Sequence, residues 1–154
     1  DGVVVAGGSG ASGPSIISIE EAIVYDAIST SIRSLDVQKR FSDEIDLFIA
    51  EAQDGATLVA VLVDQTNQSN QPVSAFNVPD LTLISPDGIQ YEADLGKSGS
   101  YAAIKEIDQK VLSDIGPGLR SQAVFVFEVS DQLLAKSGWV LKVGDITNVM
   151  FKVN

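Results

Sequence analysis

The stretch QAVFVFEVS, residues 122–130, decides the fold class. Its side chains would alternate between the two faces of an extended chain, and this period of two predicts a β-strand. One face would carry Ala123, Phe125, Phe127 and Val129, and the other Val124, Val126 and Glu128. Just before it, Pro117 and Gly118 predict a type II turn, because proline sets the first central φ and glycine tolerates the positive second one.

Similar patterns on both sides of this stretch predict further strands. Residues 57–66 are apolar on both faces from Leu58 to Val63, which indicates a central strand. Residues 23–32 are rich in β-branched residues and are interpreted as one strand with imperfect alternation. Two strands close the chain. The inward residues would be Trp139, Leu141 and Val143 in the first strand and Val149, Phe151 and Val153 in the second. We predict that they belong to the core rather than to a ligand-binding surface.

Residues 81–93 carry a hairpin signal. Leu81 and Leu83 precede the turn sequence Ser85-Pro86-Asp87-Gly88, and Ile89, Tyr91 and Ala93 follow on one face. Proline presets the first central φ of such a turn, and glycine accepts the left-handed conformation that ends it. The segment is therefore predicted to be two antiparallel strands.

Residues 34–55 fit two interpretations. The residues Val37, Phe41, Ile45, Phe48 and Ala52 have helical spacing, and Ser34 could cap such a helix. The sequence LFIAEA before Asp54-Gly55 also resembles a strand entering a hairpin. We favour a short helix or loop followed by a strand.

These segments predict an all-β protein. About eight short strands separated by turns, without a βαβ rhythm, are typical of an immunoglobulin-like antiparallel β-sandwich. We place the sandwich at residues 15–154. Residues 1–14, DGVVVAGGSGASGP, would form a short apolar strand on a Gly/Ser-rich linker. The chain begins at Asp1 rather than Met, which we interpret as removal of a leader or of an expression tag.

Composition limits the partners. Asp and Glu outnumber Lys and Arg by 21 to 10, giving a net charge of −11. Such a surface repels a nucleic-acid backbone, so no nucleic-acid partner is expected. It also disfavours docking on an anionic membrane, and no apolar segment reaches the roughly 18 residues of a membrane span.

The chain contains no Cys and no His. Disulfides, the usual serine or cysteine catalytic centres and the usual zinc or copper sites therefore lack their residues. Two carboxylates among Asp43, Glu44 and Asp46 could act as an acid–base pair, and these or loop aspartates could bind calcium. A solvated charge run is the favoured interpretation. We therefore expect no enzyme activity, no cofactor and no metal.

Residues 8–13 match the pattern G-x-G-x-x-G of dinucleotide-binding loops. Such a site needs a helix directly after the last glycine. Here Pro14 and a β-branched segment follow, so the match is interpreted as an accident of linker composition.

Several of these features together resemble a known family. They are Thr66-Asn67 at a strand end, Asp87-Gly88 with Tyr91, and Pro117-Gly118 with Phe127. This succession, from Ile23 to Val153, is similar to the bacterial and archaeal domain of unknown function 4352. That family is similar to secreted immunoprotective antigens with an immunoglobulin-like sandwich. The resemblance implies a secreted or cell-surface setting, often with a lipid on an N-terminal Cys that this sequence lacks. It supplies no catalytic residues.

Asn67-Gln68-Ser69 is an N-glycosylation sequon in a polar segment, which makes Asn67 a candidate glycan site. It would matter only in a protein exported by a glycosylating cell.

Two functional hypotheses follow. In the first, the protein is an extracellular structural subunit. Its residues Val3, Val4, Val5 and Ala6 would add as a strand to the sheet of a neighbouring copy and so build a ring or filament. The same residues could instead pair within their own domain. In the second hypothesis, the protein is a monomeric binding module of the cell surface that recognises a small molecule or a protein through its loops.

Overall fold

The computed structural model describes residues 4–5, 15–107, 113–145 and 149–153. These residues form two packed β-sheets, a separate β-hairpin, two helices and a short 3-10 turn, Ala75–Asn77. The helices are α1 (Leu95–Ile104) and α2 (Asp131–Leu134). The strands are β1 (Val4–Val5), β2 (Ser15–Ile17), β3 (Ala22–Tyr25), β4 (Ile28–Gln38), β5 (Arg40–Ser42), β6 (Ile49–Glu51), β7 (Ala56–Asn67), β8 (Leu81–Ile84), β9 (Gln90–Glu92), β10 (Arg120–Ser130), β11 (Val140–Val143) and β12 (Val149–Lys152).

The two sheets have the topology of a β-sandwich. Sheet A has the order β1-β2-β12-β11-β8-β9, and sheet B has the order β10-β7-β4-β3. The chain passes from sheet B to sheet A after β7, returns with β10, and crosses again to β11. Such crossings between antiparallel sheets are typical of immunoglobulin-like sandwiches, so the predicted fold class is confirmed. One exception to antiparallel order is the parallel pairing of β2 with β12, in which Phe151 faces Ile17.

The stretch that predicted the fold is β10, an edge strand of sheet B. Both of its faces are covered, because sheet A packs on one and α1 with β5 and β6 on the other. The adjacent strand β7 lies between β4 and β10, which confirms the predicted central strand. Its alternate residues enter the two cores: Val59, Val61 and Val63 the inter-sheet core, and Leu58 and Ala60 the core under α1.

The inter-sheet core contains the predicted inward residues of the C-terminal strands whose side chains the structure describes. Trp139, Leu141 and Phe151 are buried there, and Val153 packs against them. The Trp139 indole nitrogen donates to the carbonyl of Leu133 at 3.2 Å. This hydrogen bond satisfies the polar atom of a buried tryptophan, so the prediction of a core role is confirmed.

One predicted element was wrong, and a second was right only in part. Residues 23–32 form the β3–β4 hairpin rather than one strand, with Asp26 and Ala27 at positive φ values of 50° and 65° in the turn. Residues 34–52 contain no helix, because β4 runs to Gln38 and β5 and β6 form a hairpin of their own. The strand predicted in LFIAEA is present as β6. Pairing of these backbone groups with neighbouring strands outweighs the helical spacing of the apolar residues.

The N-terminal strand pairs within its own chain. Val4 faces Ile16 and Val5 faces Ser15 in an antiparallel ladder at the edge of sheet A. Of the two alternatives for this strand, the structure therefore contains the intramolecular one. Val3, Ala6 and the linker residues 7–14 lie outside the described residues.

Candidate functional site

An open groove of about 950 Å³ is the candidate site. It is formed by the β3–β4 turn, residues 72–82 leading into β8, the strands β9 and β11 with their flanks, and Phe125 of β10. Apolar and aromatic side chains contribute to its walls together with acidic and amide groups. Tyr25, Val73, Val78, Leu95 and Phe125 are among the former, and Asp26, Asn77, Asp80, Gln90, Glu92 and Asp145 among the latter.

The alternation of sheet A aims a polar row at this groove. Leu81 and Leu83 of β8 are buried in the core, so Thr82 between them faces outward. Thr82 lies opposite Glu92 of β9 on one side and Lys142 of β11 on the other. Neighbouring strands lie about 4.8 Å apart, so an ammonium, a hydroxyl and a carboxylate follow one another along this wall.

Tyr25 forms another wall by lying against a glycine. A Cβ placed on Gly144 would stand 2.8 Å from Cε2 of the Tyr25 ring, closer than real Cβ contacts allow. Gly144 has a φ of +58°, and its N–H donates to the carbonyl of Asp80 at 2.7 Å. The glycine therefore lets the β11 end, the aromatic ring and the start of β8 meet at one point.

The turn that carries Tyr25 into the groove is strained. Both central residues, Asp26 and Ala27, have positive φ, which costs roughly 1–2 kcal/mol for a residue such as alanine. The Ala27 carbonyl accepts a hydrogen bond of 2.8 Å from the N–H of Gln68. The strained turn is thus tied to the segment that follows β7.

Asn67 fastens the segment after β7. Its side chain is fully buried, and its amide nitrogen donates to the carbonyls of Gln71 at 2.7 Å and Ile115 at 2.8 Å. Its amide oxygen accepts from the N–H and the hydroxyl of Ser69. All donors and acceptors of this amide are used, so the residue fixes the position of the chain on either side of it.

This geometry argues against a glycan on Asn67, which the sequon makes a candidate site. A glycan would replace one hydrogen of the amide nitrogen, and both hydrogens are donated to buried or half-buried carbonyls. The site also has no exposure to solvent. A modified Asn67 would therefore break the contacts that hold this part of the fold.

Gln65 anchors the groove in a similar way. It is buried on β7, and its amide nitrogen donates to the carbonyl of Pro79 at 3.0 Å. Pro79 lines the groove. Gln65 and Asn67 are buried polar residues two positions apart at the C-terminal end of β7. Together they position the polypeptide between β7 and β8.

The groove carries an excess of negative charge. Asp26, Asp80, Glu92 and Asp145 line it against one lysine, Lys142. Carboxylates on the walls of a concave site concentrate negative potential there, which favours cationic groups in a ligand.

The sequence candidates for acid–base or calcium chemistry lie elsewhere, in the loop between β5 and β6. The Asp43 carboxylate accepts a hydrogen bond from the N–H of Phe48 at 3.1 Å, and Asp46 forms an ion pair of 3.5 Å with Arg40. Glu44 is exposed. Within the described ranges no group of three or more acidic side chains is arranged to hold a metal ion.

A half-buried ionic network holds α1 on β10. Lys97 pairs with Glu128 at 2.7 Å and with Asp94, the N-cap of α1, at 3.5 Å. The hydrogen bond from Lys97 holds the pKa of Glu128 below its usual range, and the same bond raises the pKa of Lys97. The members of this network are paired with one another, as in a structural ion-pair network.

Sequence reasoning did not single out the groove residues, because they come from segments far apart in the chain. Two signals point to the region. One is the pair Gln65 and Asn67 at the end of an apolar strand, and the other is the Asp26-Ala27 dipeptide, where an aspartate favours a left-handed turn.

In the described part of the chain, no helix is long and apolar enough to cross a membrane.

Sequence comparison finds a similar bacterial protein. No family model matches the chain. The uncharacterized protein YxkC of Bacillus subtilis (strain 168) is 36% identical over 103 residues, which cover 66% of this chain and 57% of that protein. The chain thus spans just over half the length of this relative.

Two crystal structures have a similar fold. A conserved hypothetical protein from Bacillus anthracis has a TM-score of 0.75 at 14% identity, covering 83% of this chain and 89% of its own. An uncharacterized beta-sandwich protein from Clostridium difficile 630 has a TM-score of 0.61 at 13% identity, covering 97% of this chain and 99% of its own. This chain is therefore similar in fold to these two bacterial proteins, of which the second is described as a β-sandwich.

Proposed function

We propose that this protein is a non-catalytic binding module of the cell surface or the extracellular space, and that its ligand occupies the groove. The observation that carries the proposal is the groove itself, whose volume of about 950 Å³ lies within the size range of ligand sites. Its walls combine apolar rings with a few polar groups, and buried amides fix the chain around it. Such a preformed site lowers the entropy cost of binding.

The lining indicates the chemistry of the ligand. Four carboxylates face one ammonium group, so a ligand with positive charge is favoured. Tyr25 also lines the groove, and an aromatic ring attracts both apolar groups and cations. A cationic small molecule, or a short peptide segment with a basic side chain, combines these properties.

A binding role rather than catalysis is supported by the residue types. The chain has no His and no Cys, so the common nucleophile and base pairs cannot be built. The extracellular setting is supported by the resemblance to secreted antigens and agrees with the acidic composition, which promotes solubility.

The test uses two matched substitutions on one strand. Thr82 and Ile84 both point outward from β8, but only Thr82 lines the groove. Cationic and neutral fragments are screened by thermal shift, and the affinities of the hits are measured by calorimetry. We expect Thr82→Trp to weaken binding at least tenfold and Ile84→Trp to leave it unchanged. Equal affinity for all three proteins would contradict the proposal.

Self-assembly by strand exchange is the second candidate. The observation that favours it is the short ladder of β1, which among the described residues joins sheet A through Val4 and Val5. The same two residue pairs could form with β2 of a second copy, so exchange would cost little in hydrogen bonds.

Sedimentation velocity and electron microscopy of the full chain test this candidate. Rings or filaments are expected if strands exchange, and deletion of residues 1–13 should abolish them. A protein that stays monomeric at high concentration, or assembly that persists after the deletion, rules out exchange through this strand.

A further inference from the structure

We propose that the tip of the β5–β6 hairpin, residues 43–49, is a docking surface for a protein segment that carries apolar side chains next to lysine or arginine. This surface lies on different residues from the groove and does not depend on the function proposed for it.

The tip exposes four large apolar side chains that are close together in sequence. Ile45 is 78% exposed, Leu47 68%, Phe48 41% and Ile49 43%. Single exposed apolar residues are ordinary, but four within five consecutive positions form a patch, and such patches mark interaction sites.

The hairpin below the tip is firmly anchored. Phe41 of β5 and Ala50 of β6 are buried in the core under α1. The Phe41 ring meets the ring of Tyr101 edge to face, with centroids 4.8 Å apart. The apolar residues at the base are therefore buried, whereas those at the tip have no such cover.

The tip itself has a defined conformation. The Asp43 N–H donates to the Phe48 carbonyl at 3.3 Å, and the Phe48 N–H donates to the Asp43 carboxylate at 3.1 Å. Asp46, at a left-handed φ of 54°, donates its N–H to the Asp43 carbonyl and pairs with Arg40. Because the loop is held in place by these bonds, its side chains are presented to a partner at a low ordering cost.

Charge decides the kind of partner. Asp43, Glu44 and Asp46 lie among the apolar residues of the tip. A second copy would bring its own carboxylates to the contact, whether through its tip or its acidic groove, on a chain of net charge −11. A bilayer would have to accept these carboxylates near its apolar region, which is costly. A protein segment with basic groups beside its apolar ones would pair with them.

The probe is a random peptide library displayed on a neutral scaffold and selected on the immobilised full chain. We expect enriched peptides with Leu, Ile, Phe or Trp next to Lys or Arg, and weaker binding at high salt. The double variant Leu47→Ser with Phe48→Ser should bind them at least tenfold more weakly, as should Ile45→Ser. The matched control is Leu119→Ser, since Leu119 is 61% exposed in a turn outside the β5–β6 hairpin, and it should leave binding unchanged.

Three results would overturn the proposal. The first is enrichment of peptides without basic residues, or of peptides that bind all variants equally. The second is cosedimentation with phosphatidylcholine vesicles that is lost in the tip variants, which would indicate a lipid surface. The third is a dimer in sedimentation velocity that the tip variants dissociate, which would indicate a second copy.

Discussion

The ring of Tyr25 leaves no room for a side chain on Gly144. A Cβ there would lie 2.8 Å from Cε2 of the ring and 3.1 Å from Cζ. This contact joins the β3–β4 turn to the end of β11, two segments that are far apart in sequence and together form a wall of the groove.

Gly144→Ala should destabilise the protein by about 2–4 kcal/mol, because it adds a clash with an aromatic ring to the cost of a positive φ. Gly88 separates the two effects, since its φ is +89° and no atom lies within 4 Å of an added Cβ. Gly88→Ala should therefore cost only about 1–2 kcal/mol. Urea unfolding measures both values. Equal losses of unfolding free energy in the two variants would show that the Tyr25 ring moves aside without an energetic cost.

Thr30→Val should leave stability unchanged or raise it by up to about 1–2 kcal/mol. The Thr30 hydroxyl is fully buried on β4 and has no hydrogen-bond partner among the residues that the structure describes, so valine replaces an unsatisfied polar atom with a methyl group of similar shape. Thr57 is the matched control on β7, because its hydroxyl donates to the Asp131 carboxylate at 2.5 Å. Thr57→Val should destabilise the protein. A clear loss of stability in Thr30→Val would mean that its hydroxyl is satisfied in solution.

Asn67→Ala should cost about 2–4 kcal/mol, because it leaves the carbonyls of Gln71 and Ile115 without their donor. Gln68, the next residue, is exposed, and Gln68→Ala should change stability by less than about 0.5 kcal/mol.

When the protein is produced in a glycosylating secretory host, mass spectrometry should find Asn67 unmodified. A glycan on Asn67 in folded protein would contradict the buried amide.

Ionisation of the buried Tyr101 hydroxyl should lower the free energy of unfolding at alkaline pH. Burial, together with the nearby carboxylate of Asp36, raises the pKa of Tyr101 to about 12 from an ordinary value of 10.0. The folded state thus keeps a proton that the unfolded state loses, so this contribution is complete below pH 10 and disappears as the pH rises through about 12. The difference in absorbance at 295 nm between wild type and Tyr101→Phe should show a midpoint near 12. A midpoint at the ordinary value would contradict the burial of this hydroxyl.

The strands and tight turns were predictable because they depend on neighbouring residues. Gly88 has a φ of +89°, and the Ser85 N–H donates to the Ile89 carbonyl, as the hairpin prediction requires. At Pro117-Gly118, the Leu119 N–H donates to the Gly116 carbonyl at 3.0 Å and Gly118 has a φ of +73°. Both turns are set by one proline and one glycine.

The errors arose where the local pattern was ambiguous. Phe41, Ile45 and Phe48 have helical spacing, but only Phe41 is buried, so the spacing did not mark a buried face. Helix α1 was not predicted, because Gly96 and Gly99 weaken its helical signal. Its N-cap, Asp94, which accepts from the Lys97 N–H at 2.9 Å, is the signal that could have identified it.

The groove could not be predicted from sequence, since the residues that meet there are separated by dozens of positions. Tyr25, Thr82 and Lys142 come together only through the crossings between the two sheets. The sheet that Val4 and Val5 join could not be predicted either. Their composition predicted a strand, whereas the choice of sheet depends on the geometry of the whole domain.

The most direct test of a ligand-binding groove is an amide chemical-shift map of the labelled protein during titration with cationic fragments. We expect the shifts to cluster at Tyr25, Thr82, Glu92 and Lys142, and to disappear in Thr82→Trp. Shifts that cluster outside the groove, or persist unchanged in Thr82→Trp, would contradict the central proposal.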